Sequence, residues 1–426
     1  MRRAALAALV LLLGAVAPAA RAAPAWPDAA RPRPAAERAD VRRRAEAFES
    51  VWRLVAERFF DPALRGVDWD AARDRYQARA AAAADERGFA SVVNEMLAEL
   101  GSSHTRYYTD RDPEYYFLRG VFREGLRQPI PDWDDPGFVP VRTSGGLFVR
   151  DVLDGGPAAA AGVRVGDRIV ERGAPFDPVE TFEGRSGRPV PLLLQSEPGG
   201  PARRVEVVPR RTSGQRAYLE ATRASVRRLP LPGGGGEAGY VRLWALSHPF
   251  FLEALEAALA RLEGVSGLVL DLRGGFGGRS EDYLDLFLRG GTGRIETVDR
   301  RGEHRPFFTG WDAPVVALID GGTRSAKELL AYSLRRAGRA RLVGARTAGA
   351  VLASNAYPMG DRALLLLPVA DLVVDGQRLE GRGVEPDVAV EVPLPYRNGA
   401  DPQLGAALSE LAALAAGRRD PTPAAP

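Results

Sequence analysis

Ser325 lies in GGTRSAKELL, between the apolar run PVVALID and a helix-like stretch. A hydroxyl at a strand-to-helix switch, behind Gly321 and Gly322, has the setting of a nucleophile. It is inert without a base. Lys327 is the only lysine in the chain, so a Ser-Lys pair would have to use it. It follows Ser325 by two positions on a starting helix, where side chains point to roughly opposite sides. The expectation is therefore an exposed helical lysine. Histidine is the next candidate, and the chain has 3. His248 precedes Pro249 at a helix start and suits a capping or loop role. His304 sits in the charged loop RRGEHRPF. His104, in GSSHT, follows a helix directly and stands beside Ser102, Ser103 and Thr105. An imidazole near its ordinary pKa of about 6.5 accepts a hydroxyl proton at neutral pH, which makes His104 the candidate base.

Such a base needs an acceptor on its second nitrogen to hold the tautomer. Glu380 in QRLEGRGVEPD is one candidate, with Glu385 and Asp387 as others; local sequence does not separate them. The oxyanion of an acyl transfer needs fixed backbone N–H donors. Gly277 and Gly278 close the GGFGG turn at the start of a helix, and Ala326 follows Ser325 directly, so these three are the candidate donors.

These residues are far apart in the chain, so the elements between them must bring them together. Residues 24 to about 40 are rich in Pro, Ala and Arg and read as a leader. From about residue 40 to 118 the pattern is helical: FESVWRLVAERFF places Phe48, Val51, Trp52, Val55 and Phe59 on one face. Gly101 is a natural helix stop just before His104. After the Pro-rich QPIPDWDDPGF, a second unit covers 138–211, with short alternating strands and the turn GVRVGD. A third, 212–396, alternates strands and helices, which implies a largely parallel sheet covered on both faces. Active sites in such sheets sit at the carboxyl ends of strands, where both GGFGG and Ser325 fall. The Gly-rich stretch 233–236 reads as a hairpin tip. Residues 397–426 form a C-terminal tail with one more apolar helical stretch.

The chain has 426 residues, enough for two or three domains. It opens MRRAALAALVLLLGAVAPAARA: a positive start, an apolar run and the small-residue site Ala20-Arg21-Ala22. Residues 1–22 are expected as a secretory signal peptide, cut before Ala23. No later stretch of spanning length is free of charges. There is no cysteine, which excludes disulfides, thiol nucleophiles and Cys-ligated zinc together. An exported chain without disulfides fits a bacterial periplasm or cell envelope. Net charge is +3, with scattered Arg and no basic run interleaved with aromatics, so nucleic acid is not an expected partner.

Taken together, these segments resemble the tail-specific, or C-terminal processing, serine protease family over about residues 45 to 395. DLRGGFGG resembles its D-x-R-x-N-x-G-G segment, with Gly275 where the Asn would stand. IDGGTRSAKE is similar to its Gly-Ser-x-x-Glu segment, with Ser325 at the nucleophile. GVRVGD is similar to part of a PDZ domain. The processing proteases place a general-base Lys in a later T-x-G-K segment; here that segment is RTAGAVL, with Ala350 at the Lys position. ELGSSHT instead resembles the segment of the tricorn-like branch, which implies His104 as base and Ser103 as its helper. EGRGVEPD resembles that branch's E-N-x-G-V-x-P-D, which implies Glu380 as the orienting acid. The resemblance implies an α/β fold with a clp/crotonase-like protease core, a PDZ-like domain and an N-terminal helical subdomain. It implies a serine endopeptidase acting on polypeptide tails or unfolded segments, with no cofactor and no metal. Alternatives are a peptide-binding protein with a decayed site, a crotonase-type enzyme on acyl thioesters, and a carrier of apolar small molecules.

Overall fold

The computed structural model describes residues 35–171, 173, 175–278, 281–288, 295–307 and 310–419. The expected signal peptide and the closing PTPAAP lie outside the described residues. Three helices open the fold: α1 (Ala35–Arg58), which begins inside the expected leader, α2 (Trp69–Ala81) and α3 (Glu86–Ala98). Asp68 and Asp85 cap α2 and α3 through the N–H groups of Ala71 and Gly88, each worth about 1 kcal/mol. Phe48, Val51 and Val55 pack against Phe89, Val93 and Met96. Gly101, at φ +55°, takes the left-handed turn that ends this region. The chain then passes His104 into β1 (Arg106–Thr109) and α4 (Pro113–Val121).

Next come β2 (Phe138–Thr143), β3 (Gly146–Val152), β4 (Arg168–Ile169), β5 (Val190–Gln195) and β6 (Arg203–Val207). They form one antiparallel sheet in that order, over a core that includes Val149, Phe182, Leu194 and Val207. The segment GGLFVRDV lies in β3, which pairs along its length with β2 and, at Phe148, with β4. The edge strand beside it is β2.

The remaining chain runs α5 (Gly214–Ala224), β7 (Arg227–Pro230), β8 (Glu237–Arg242), α6 (Pro249–Arg261), β9 (Gly267–Asp271) and α7 (Glu281–Leu288). It continues through β10 (Val315–Ile319), α8 (Ala326–Arg336), β11 (Ala340–Gly344), β12 (Ala353–Pro358), β13 (Ala363–Ala370), β14 (Val388–Ala389) and α9 (Pro402–Arg419). The main sheet has the order β14-β11-β10-β9-β8-β7, and all pairs are parallel except the edge hairpin of β7 and β8. The Gly-rich stretch is that hairpin's tip, as its composition suggested. Every residue of β9 and β10 is buried, as required of strands covered on both faces. Leu255, Leu259, Tyr283, Phe287, Leu330 and Leu334 from α6, α7 and α8 cover one face. Ala407 and Leu411 of α9 cover the other, against Val269, Val316 and Val343. The segment expected as a tail is thus a wall of the core.

One pairing crosses the sequence divisions. The hairpin β12–β13 leaves the main sheet, and β13 pairs antiparallel with β1. Its leucines alternate: Leu365 and Leu367 face the core of α1–α3, while Leu364 and Leu366 face Tyr115 and Leu118 of α4. The strand next to His104 is therefore anchored by residues more than two hundred positions downstream.

Candidate active site

Ser325 caps α8 at φ 59° and ψ −133°, a backbone region that side chains rarely adopt. Non-glycine strain of this kind costs about 1–3 kcal/mol and persists only where surrounding bonds enforce it. They do so here. The Ser325 N–H donates to the Ala350 carbonyl at 2.8 Å and to Glu328 Oε2 at 3.1 Å. Glu328 is fully buried and also accepts from Thr347 Oγ1 (2.5 Å), Gly349 N–H (2.7 Å) and Ala350 N–H (2.8 Å). One carboxylate thus ties the start of α8 to residues 347–350. Just upstream, Asp320 Oδ1 accepts the N–H groups of Gly322, Thr323 and Gly274, and Thr323 Oγ1 donates to the Leu272 carbonyl. The Ser325 loop and the GGFGG turn are therefore fastened to each other.

That turn follows β9. Arg273 anchors its start, donating to both oxygens of Asp271 and, in bidentate fashion, to Asp401 at 2.8 Å. Burial alone would raise the Asp271 carboxyl, but Arg273 and Arg242 hold it well below the usual carboxylate range. The glycines of the turn are there for space. A Cβ on Gly277 would stand 2.6 Å from Ser325 Cβ and 2.8 Å from both Ser325 Oγ and Ala326 N. One on Gly278 would meet the Leu246 carbonyl oxygen at 2.1 Å. Gly275, at φ +63°, would put a Cβ 2.0 Å from the Trp244 carbonyl oxygen, which explains why no Asn occupies that position. Gly277 thus lies directly over the hydroxyl. Among the described residues, the N–H of Ala326 donates to no protein acceptor, as expected of the first turn of a helix.

His104 arrives from the other side. Its φ of 56° is also left-handed. Nδ1 is 2.8 Å from Ser103 Oγ, which donates to Glu380 Oε2 at 2.9 Å; Ser103 N–H donates to Glu380 Oε1 at 2.9 Å. Glu380 Oε2 also accepts from the Val351 N–H at 2.9 Å. The imidazole is thereby linked, through Ser103, Glu380 and the Ala350–Val351 segment, to the backbone of Ser325. Burial lowers the His104 pKa to about 4; Glu380 opposes the shift and Arg324 adds to it. The ring is neutral at pH 7 and able to accept a proton. No hydrogen bond joins His104 to Ser325 themselves; bonds of this kind tighten when substrate is bound.

Of the three acids open to the sequence, Glu380 reaches Ser103. Glu385 lies 3.9 Å from Arg346, and Asp387 binds the Leu342 N–H and Arg335. His248 accepts from the Phe250 N–H as a helix cap, and His304 lies on the strand His304–Phe307. Lys327 departs from expectation. Rather than exposed, it is fully buried, and its Nζ donates to the Gly274 carbonyl at 2.9 Å. The helix starts so close to the turn that its second residue points inward. Glu328, for which the residue pattern assigned no role, carried one local signal: an acid three positions after a helix-capping Ser. Asp320 carried none.

A cleft opens beside this arrangement, lined by Phe117, Phe138, Tyr218, Phe276 and Arg324 among others. Phe276 belongs to the turn and Arg324 directly precedes Ser325, so the cleft borders both loops of the site. Among the described residues no cluster of His, Cys, Asp or Glu has the arrangement of a metal site. No helix among them is long and apolar enough to cross a membrane.

Comparison with known proteins follows the same division. Residues 237–390 match the model of peptidase family S41, and residues 40–98 match that of the tricorn protease C1 domain. Putative tricorn protease homolog 2 of Streptomyces coelicolor is 30% identical over 393 residues, covering 85% of this chain and 32% of that protein. Carboxyl-terminal-processing peptidase 3, chloroplastic, of Arabidopsis thaliana is 29% identical over 366 residues, covering 79% of this chain and 67% of that one. The chain spans about a third of the length of the two Streptomyces tricorn homologues, at 32% and 36%. Among solved structures, the tricorn protease has a TM-score of 0.54 at 18% identity, over 88% of this chain and 37% of that one. The photosystem II D1 C-terminal processing protease has 0.50 at 23%, over 84% and 98%. These two likenesses are of fold. The two matches fall in sequence order, so the chain carries a tricorn C1 domain ahead of a peptidase S41 domain, the domain of serine-type peptidases.

Proposed function

We propose that this protein is an exported serine endopeptidase that cleaves unfolded or tail-tagged polypeptides, with Ser325 as nucleophile and His104 as base. The supporting observation is the Glu380–Ser103–His104 hydrogen-bond chain, tied through residues 350–351 to the backbone of Ser325. Ser325 Oγ attacks the peptide carbonyl while His104 takes its proton. The C–N bond then breaks as His104 returns that proton to the leaving amine, and water, activated by the same imidazole, releases the acyl group. Ser103 and Glu380 orient the ring and support its positive charge. The N–H of Ala326, with Gly277 or Gly278, holds the tetrahedral oxyanion. The chemistry requires no cofactor or metal.

The processing role of the Arabidopsis relative, given in its name, supports polypeptide tails as the substrate class. Residues 138–211 act as a PDZ-like recognition domain. Its peptide would add to the edge strand β2, whose Phe138, Val139 and Pro140 line the same cleft as Phe276 and Arg324. The export signal, residues 1–22, would deliver the chain to a bacterial envelope.

The test is turnover of a denatured protein by the parent, Ser325→Ala and His104→Ala, with a serine-directed phosphonate as covalent probe and product masses to locate the cuts. The reading expects labelling at Ser325 and loss of turnover in both variants. Equal turnover by all three would remove both assignments. Normal folding with neither labelling nor turnover in the parent would favour a peptide-binding role.

A further inference from the structure

Lys327 is a buried cation that the mechanism leaves unused. It has no exposed surface, although a lysine is among the side chains least often fully buried. Among the described residues its one acceptor is the Gly274 carbonyl, in the first half of the GGFGG turn. Its Nζ would lie 3.1 Å from a Cβ on Gly275, so the ammonium sits directly beneath the turn. The turn's other side faces Ser325, through Gly277. Lys327 therefore spans the two halves of the candidate site: its backbone is in the first turn of α8, two residues past the nucleophile, and its head group is on the donor turn.

We propose that Lys327 is a positioning residue that clamps the oxyanion turn onto the nucleophile helix. This rests on the reading of Ser325 as the nucleophile. The turn is held at its start by Arg273 and by the bond from Gly274 N–H to Asp320, and farther on by Phe276 N–H to the Trp244 carbonyl and by Leu246 N–H to the Gly277 carbonyl. Residues 275–278 follow with positive φ at Gly275 and Gly278 and no side chain of their own except Phe276. The bonds of Phe276 and Gly277 tie the turn to residues 244–246, whereas the bond from Lys327 ties it directly to α8 and so sets its place relative to Ser325. Donor placement to within a fraction of an ångström governs how well an oxyanion is held. A charged donor also grips a carbonyl more strongly than a neutral one.

The groups facing the ammonium are Arg242 on β8, Asp271 on β9, Asp320 after β10 and Asp151 on β3. Burial lowers its pKa to about 7, with Arg242 adding to the shift and the three carboxylates opposing it. The unfolded chain keeps the proton up to about 10.5, so below pH 7 the folded protein carries a buried charge at a cost in stability. That cost shrinks as pH rises through 7. A residue retained only for stability would not be a lysine here.

The test uses the full chain with Lys327→Met and Lys327→Arg beside the parent and Ser325→Ala, following kcat, KM, thermal midpoint and the pH profile of kcat. The clamp expects Lys327→Met to fold with an unchanged or higher midpoint at pH 6, yet to lose roughly ten- to hundredfold in kcat with KM little changed. It expects kcat of the parent to fall above about pH 7, and that limb to vanish in Lys327→Arg, whose charge does not titrate in this range. Parental kcat in Lys327→Met would overturn the proposal, as would a parental alkaline limb in Lys327→Arg. The arginine profile decides the matter if the methionine variant does not fold. Turnover by Ser325→Ala would instead overturn the nucleophile assignment, and the clamp with it.

Discussion

The two halves of the candidate site are held in different ways. On the nucleophile side, Ser325 and the GGFGG turn are fastened by many short bonds to buried or backbone groups: Glu328 alone accepts four, and Asp320 spans both loops. On the base side, the His104 ring hangs on one bond to Ser103, which in turn depends on Glu380. The first half is a property of the sheet; the second is a junction between regions far apart in sequence. Strain is affordable at Ser325 because its bonds are redundant. The imidazole has fewer hydrogen bonds to hold it than the Ser325 backbone has.

Substitutions can break this contrast in graded steps. His104→Ala removes the proposed base and should lower kcat/KM by about 10³–10⁴, measured with a fluorogenic peptide, while Ser325 stays in place. Gly277→Ala pushes a methyl into the hydroxyl and the Ala326 N–H. It should cost about 10²–10³ in kcat, with folding intact by circular dichroism. Glu380→Gln weakens the support behind the ring and should cost about 10- to 100-fold.

Glu380→Gln should also move the acid limb of the pH profile. Glu380 raises the His104 pKa, so removing its charge shifts the limb below its parental position near pH 4. An unmoved limb would mean that another group titrates there. The same histidine affects stability. Its folded pKa of about 4 lies under its ordinary 6.5, so the unfolded chain binds the proton more readily. Stability should be complete above pH 6.5, fall as pH drops towards 4 and level off below, which urea titrations across that window would check. Glu328→Gln should affect rate least directly. It leaves a buried hub with one oxygen replaced by a donor and should destabilise the fold by about 2–4 kcal/mol by denaturant unfolding.

The sequence made one half of the site easier to read than the other. The alternation of apolar strands with amphipathic helices places Ser325 and GGFGG at strand ends, because strand and helix periods are local properties. The crowding behind each glycine is not local, yet glycine itself signals that space is short. His104 stood out because the chain has few bases, but nothing in GSSHT says what it will touch. Glu380, Glu385 and Asp387 share a turn-rich segment and differ only once β13 carries the chain alongside β1. Lys327 misled for a related reason. Spacing relative to Ser325 says that two side chains diverge, but not which of them faces solvent when a neighbouring turn covers the helix start.

The pairing of β1 with β13 has a consequence for synthesis. A chain leaving the ribosome makes the His104 segment early and Ser325 much later, but the strand that receives β1 comes later still, and Glu380 follows it. Until those last residues emerge, the imidazole has neither its sheet partner nor its acid. On the proposed reading, a nascent hydrolase wired in this order gains competence only after Glu380 has emerged and joined Ser103.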